Sequence, residues 1–301
     1  MEQVLVTGAN GFVGKALARD PRTSGFSFLT QQKIAPGAKN WLKVRDFADS
    51  RNRDFSSVLK NISVVVHLAS AAHRYNLDEN YLYSVNFAAT VSLAEQAAKA
   101  GVKRFIYLNT INVYGSQTHI NINTELRPLD YNSKIRLSVE SELRRISVET
   151  GMEIVIIRSP LIYGKDAPGN FGTLLKVAKN NYPLPLGAIN NHRSYAALDN
   201  VVDLLIVCVS HPKAKGQCFL ISDDEVISTS ELLKKLIISS GNKPRLLPIP
   251  TFFLNLAAAI VGKKSTVEKL SSSLIVDIEH TKRILGWEPP VTIDEGIRRC
   301  F

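Results

Sequence analysis

Apolar runs of strand length alternate with helical patterns through the first half of the chain. QVLVTG (3–8) is followed by FVGKALAR, then by FSFLT (26–30) and VVVHLAS (64–70). A long helical stretch over about 78–100 precedes RFIYLNT (104–110), a helix from about 132 to 149, and EIVIIRSP (153–160). Strand patterns separated by helical segments of this length predict βαβ units and a parallel sheet. The strand-length runs are continuous and β-branched, without the alternation of a one-sided sheet, as for strands covered on both faces. The expected fold is α/β, a doubly wound parallel sheet.

Past Gly164 the texture changes. Gly and Pro become frequent (GKDAPGN, YPLPLG, NKPRLLPIP), with helical patterns between them at about 171–180, 200–211 and 229–240. STSELLKKL (228–236) opens with a helix-start signal, Ser or Thr before an apolar 3.6-residue period with Glu231 in the first turn. Residues 1–164 are therefore expected to form the sheet domain and 165–301 a smaller, mostly helical lobe. RSYAAL (193–198) and QCFLIS (217–222) are expected as strands returning to the main sheet.

Composition narrows the picture. The chain has 301 residues, 45% hydrophobic and 21% charged, without a low-complexity tract or internal repeat, which suits a packed globular protein. A net charge of +10 favours anionic ligands or partners. The basic residues are scattered and form no stripe or tail, which argues against nucleic acid. The cysteines (Cys208, Cys218, Cys300) lack metal or redox spacing, so no metal site and a reducing compartment are expected. The first strand starts within a few residues of Met1, leaving no room for a signal peptide. The longest apolar run, FFLNLAAAIVG (252–262), falls short of the ~20 residues that span a bilayer. A soluble, cytoplasmic protein without a membrane partner is the expectation.

VTGANGFVG puts Gly8, Gly11 and Gly14, with Phe12 among them, directly after the first strand and at the opening of a helix. Glycines allow a tight turn and close backbone approach, so the unpaired N–H groups of a helix start can face a pyrophosphate. The strand before and the helix after are the context such a motif needs. Its GxxGxxG spacing, together with VVVHLAS, YSVNFAAT, GVKRFIYLNT, VYG, VIIRSPLIYG, RSYAALDN and LGWEPP in that order, resembles the extended short-chain dehydrogenase/reductases. These are the NAD-dependent epimerase/dehydratase family, which includes UDP-sugar 4-epimerases and 4-keto reductases. The resemblance spans essentially the whole chain. AAHR, GNF and PLPLG look most like bacterial enzymes of surface-polysaccharide precursor synthesis.

The resemblance implies a Rossmann domain holding NADP or NAD. The second strand ends Thr30, Gln31, Gln32, Lys33 with no carboxylate for a ribose hydroxyl, and Lys33 could face a 2′-phosphate, which leans towards NADP. By the resemblance, Asp46 holds the adenine, Ala69 and Ser70 line the path from diphosphate to nicotinamide, and Asn86 braces the turn of the 104–110 strand.

Oxidising a sugar hydroxyl needs a base for its proton. A phenol titrates near ~10, so a tyrosine base needs a cation beside it. In the resembled family this is a YxxxK helix, with a Ser or Thr four residues before the Tyr of VYG. Thr110 matches the second feature. Ile111 and Asn112 replace the acid pair of the sugar-nucleotide dehydratases, which disfavours water elimination. The first feature is off by one: Tyr131 stands three residues before Lys134, and Asp130 stands four before it. Residues three apart still share a helix side, so a Tyr131–Lys134 pair remains open, as does a crippled site. On the substrate side the resemblance implies Arg193 and Asn170 on the UDP diphosphate, with His73 and Arg74 towards the sugar. The expectation is thus an NAD(P)-dependent enzyme at C4 of a UDP-hexose or UDP-N-acetylhexosamine, a homodimer by the resemblance. The alternative is a dinucleotide-binding sensor of the same fold that has lost catalysis.

Overall fold

The computed structural model describes residues 2–31, 40–43, 54–71, 78–260 and 264–301. Seven strands form one sheet: β1 (Val4–Thr7), β2 (Ser27–Thr30), β3 (Trp41–Lys43), β4 (Val64–His67), β5 (Arg104–Thr110), β6 (Glu153–Ser159) and β7 (Cys218–Leu220). Their order is β7-β6-β5-β4-β1-β2-β3, and every neighbouring pair is parallel. The chain winds outward from β1 in one direction, then returns to β4 and winds out the other way. The doubly wound α/β fold expected from the sequence is the one found.

The continuous apolar runs are explained by the two faces they cover. Val4, Val6, Val64, Val66, Ile106, Val155 and Phe219 point to one side, where Leu17 of helix α1 (Phe12–Arg19) packs. Leu5, Val65, Phe105, Ile154 and Ile156 point to the other. There they meet Leu93 and Ala97 of α2 (Ala89–Lys99) and Val139, Leu143 and Ile146 of α3 (Tyr131–Thr150). The helix pattern over about 78–100 contains one widened turn, Tyr83–Ala88, with π-type bonding. Such turns occur mostly as single insertions within α-helices.

Beyond residue 164, α4 (Gly169–Asn180), α5 (Leu198–Ser210) and α6 (Thr229–Ser239) fall at the helical patterns read from the sequence, and a short helix α7 (Ile293–Arg298), capped by Thr292, adds to them. Phe171, Leu175, Leu232, Leu236, Ile293 and Ile297 form a separate cluster around Tyr163. The second half also completes the first. QCFLIS supplies β7, and α5 covers the sheet through Val201, Leu204, Leu205 and Cys208.

RSYAAL does not return to the main sheet. Arg193–Ser194 pairs antiparallel with Val226–Ile227, and Ala196–Ala197 pairs parallel with Ile162–Tyr163. The place beside β6 is taken by β7, and these short segments pair within the lobe. β3 is a three-residue strand with no distinguishing pattern in the sequence.

Candidate active site

In open parallel sheets, ligands bind beyond the carboxyl ends of the strands where the winding reverses. Here that point lies between β1 and β4. Gly8 ends the β1 turn at φ +72°, and a Cβ there would lie 2.5 Å from Ala69 N. A Cβ on Gly14 would lie 2.3 Å from Gly8 O. Both positions are closed to any side chain, so the turn is held tight. Gly11 donates its N–H to Gly8 O at 2.9 Å and caps α1 without a side-chain bond, leaving first-turn N–H groups for an anion. Phe12 packs instead with the second lobe's cluster.

The end of β4 is buttressed by polar contacts. His67, fully buried, pairs through Nδ1 with Thr7 Oγ1 at 2.8 Å and through Nε2 with Thr90 Oγ1 at 3.0 Å. Burial, then the positive charge of Arg136, lowers its pKa to about 3, so the ring is neutral. Ala69 N donates weakly to Thr7 Oγ1 at 3.4 Å. Asn86, expected to brace the turn after β5, instead binds the turn after β4. It accepts from Ala71 N at 2.8 Å and donates to Ala71 O at 3.1 Å and to Asn132 Oδ1 at 2.8 Å. Asn86 lies within the widened turn Tyr83–Ala88. Thr30 at the end of β2 accepts from Asn10. Lys33, Asp46, His73 and Arg74 lie outside the described residues.

Thr110 ends β5, and its Oγ1 accepts from Asn112 N at 3.2 Å, capping the turn Ile111–Tyr114. Asp130 is the N-cap of α3, its carboxylate accepting from Ser133 N at 2.9 Å. Tyr131 is therefore the first helical residue, 39% exposed, and Lys134 is exposed. Neither side chain makes a hydrogen bond or ion pair among the described residues, and the two are not joined. The face of α3 turned inward carries Ser133, Arg136, Val139, Glu140 and Leu143. Arg136 donates to Ser70 Oγ. Glu140 accepts from Arg158 Nε at 2.9 Å, from Arg158 Nη2, and from Asn109 at 2.6 Å. Arg158 also donates to Tyr114 Oη at 2.6 Å. Asn132 and Arg136 were not singled out in the sequence. The available signal was two charges, Arg136 and Glu140, set four apart within an otherwise apolar stripe.

Residues 4–222 match the model of the NAD dependent epimerase/dehydratase family. The chain is 36% identical to a UDP-glucose 4-epimerase of Vibrio cholerae, over 99% of this chain and 94% of that protein. The chain belongs to this family. It is also 24% identical to a dTDP-4-dehydro-6-deoxyglucose reductase of Escherichia coli, over 99% of this chain and 96% of that protein. Among solved structures, a UDP-glucuronic acid 4-epimerase of Bacillus cereus in complex with NAD superposes with a TM-score of 0.79 at 21% identity, covering 99% of this chain and 95% of that one. The last comparison speaks for the fold.

The family's dinucleotide, NAD or NADP, fits what the crevice offers: a turn closed to side chains, a helix start, and the buried guanidinium of Arg136. In the second lobe, Asn170 is exposed in the first turn of α4. Arg193 is half-buried and donates to Ser272 O at 3.1 Å and Ser272 Oγ at 3.0 Å. Among the described residues no group of His, Cys, Asp and Glu could hold a metal, and no helix is long and apolar enough to cross a membrane.

Proposed function

We propose that the chain interconverts or reduces at C4 a UDP-hexose or UDP-N-acetylhexosamine, with a 4-epimerase as the first reading. The observation that carries it is the full-length likeness to the Vibrio cholerae UDP-glucose 4-epimerase. When bound, the nicotinamide supplies or accepts the hydride at C4. The chain's own work is binding, orientation and proton transfer. The glycine turn and the start of α1 receive the diphosphate. Thr110 at the end of β5 orients the sugar oxygen, and Tyr131 at the first turn of α3 takes and returns its proton. Arg193 and Asn170 hold the UDP diphosphate, the former with a fork suited to two phosphate oxygens. Ile111 and Asn112 supply no acid pair in the turn after β5, so dehydration is not part of the reading.

A 4-keto reductase is the second reading, favoured by the absence of a carboxylate at Thr30 and Gln31 and by the likeness to the Escherichia coli reductase. Purified protein is incubated with UDP-glucose, UDP-GlcNAc or a UDP-4-keto-6-deoxy sugar and either dinucleotide. Interconversion without net change in the dinucleotide supports the epimerase, and stoichiometric NAD(P)H oxidation supports the reductase. Tyr131→Phe is expected to lower kcat at least 100-fold, within the usual range for removal of a general acid–base. Unchanged turnover in that variant removes Tyr131 from the mechanism. Dinucleotide binding with neither activity favours the sensor.

A further inference from the structure

Among the described residues, three arginines are buried in or against the sheet domain, and two are answered by acids. Arg104 pairs with Glu153 at 2.7 Å, and Arg158 pairs with Glu140. Arg136 is 6% exposed, yet no carboxylate forms an ion pair with it among the described residues. Its side-chain partners are neutral hydroxyls, Ser70 Oγ and the phenol of Tyr107. The titratable groups near it are neutral or already engaged: His67 is neutral, Tyr107 is a buried phenol, and Glu140 is committed to Arg158 and Asn109. A guanidinium taken out of water without a counter-charge is a standing cost to the folded protein. Such a group is explained if an anion completes it.

Its position says which anion. Ser70 follows β4 directly beyond the point where Gly8 presses on Ala69, so the guanidinium lies at the reversal of the sheet winding. One turn earlier on the same helix, Asn132 is tied through Asn86 to Ala71. Lys134 is two residues from Arg136, about 200° around the helix, and is exposed. The inward pair spaced four apart is thus Asn132 and Arg136, and it contains no phenol.

We propose that Arg136, rather than Lys134, is the cation of this crevice, and that it holds the phosphate-bearing dinucleotide jointly with Ser70. This rests on reading the crevice as a dinucleotide site, and places its charge on a residue the spacing of Tyr131 and Lys134 does not mark. Arg136 is a binding and positioning residue here, and proton transfer stays with another group.

NAD and NADP are titrated calorimetrically into wild type, Arg136→Gln, Arg136→Lys and Lys134→Gln, and the melting temperature of each ligand-free protein is recorded. Arg136→Gln is expected to weaken dinucleotide binding about 10–100-fold, the loss of a charge-assisted contact. Its ligand-free melting temperature stays level or rises, because the unanswered charge is gone. Arg136→Lys keeps the charge, guards against misfolding of the Gln variant, and is expected to retain more of the affinity. Lys134→Gln stays within about threefold of wild type, as for an exposed charge. Loss of binding in Lys134→Gln with none in Arg136→Gln overturns the assignment. So does a lower ligand-free melting temperature in Arg136→Gln at unchanged affinity, which makes Arg136 a packing residue. Wild type that binds neither dinucleotide sinks the reading of the crevice along with it. Binding without turnover of any sugar nucleotide leaves Arg136 standing and removes only the proposed reaction.

Discussion

Glu140 joins three elements. From α3 it accepts from Arg158 of β6 and Asn109 of β5, and Arg158 reaches on to Tyr114. Glu140 and Arg158 are 2% and 4% exposed. Glu140→Gln keeps the shape and an acceptor for Asn109 but removes the charge that answers Arg158, stranding a guanidinium in the core. Breaking one partner of a buried ion pair costs about 3–5 kcal/mol, a large share of the ~5–15 kcal/mol by which domains are stable. Adding Arg158→Met removes the stranded charge, and the double variant is expected to recover about 2 kcal/mol relative to Glu140→Gln. Urea unfolding followed by tryptophan fluorescence measures both, and the change in midpoint is compared at equal slope. A Glu140→Gln variant within about 1 kcal/mol of wild type, or a double variant less stable than the single, refutes the account of this pair as a mutually dependent buried unit.

Gly14→Ala places a Cβ 2.3 Å from Gly8 O and is expected to abolish dinucleotide binding by calorimetry, since backbone atoms must move to admit it. Retained affinity would show that the turn is looser than described. The pH dependence of stability follows from two buried groups with opposite signs. His67, depressed from 6.5 to about 3, binds fewer protons folded than unfolded, so stability falls as pH drops below 6.5, by up to about 1.4 kcal/mol per unit. Asp223 is raised by burial from 3.8 to about 6, and its contribution is present at low pH and lost as pH rises towards 6. Between pH 4 and 6 the two offset each other. Asp223→Asn is therefore expected to steepen the fall in melting temperature from pH 6 to 5, and equal slopes in variant and wild type would refute the offset.

Much of this protein was legible in the chain because its signals are local. A strand covered on both faces must be apolar throughout, so VLVT, VVVH and EIVIIRS announced themselves as sheet. A glycine that must let one backbone pass against another cannot be replaced, so Gly8 and Gly14 marked the crevice before any contact was known. The helix start at Ser228 rests on a side chain that caps an N–H group three residues on. Tertiary structure decided what depends on distant partners. Where 193–198 would pair turned on partners remote in sequence, 226–227 and 162–163. Which cation of α3 faces the crevice turned on the helix's rotation, and Val139, Leu143 and Ile146 fix it by burying against the sheet. Spacing alone drew attention to Tyr131 and Lys134. Residue spacing sets which side chains share a face, but only the burial of that apolar stripe sets which way the face points, and it turns Arg136 inward and Lys134 to solvent.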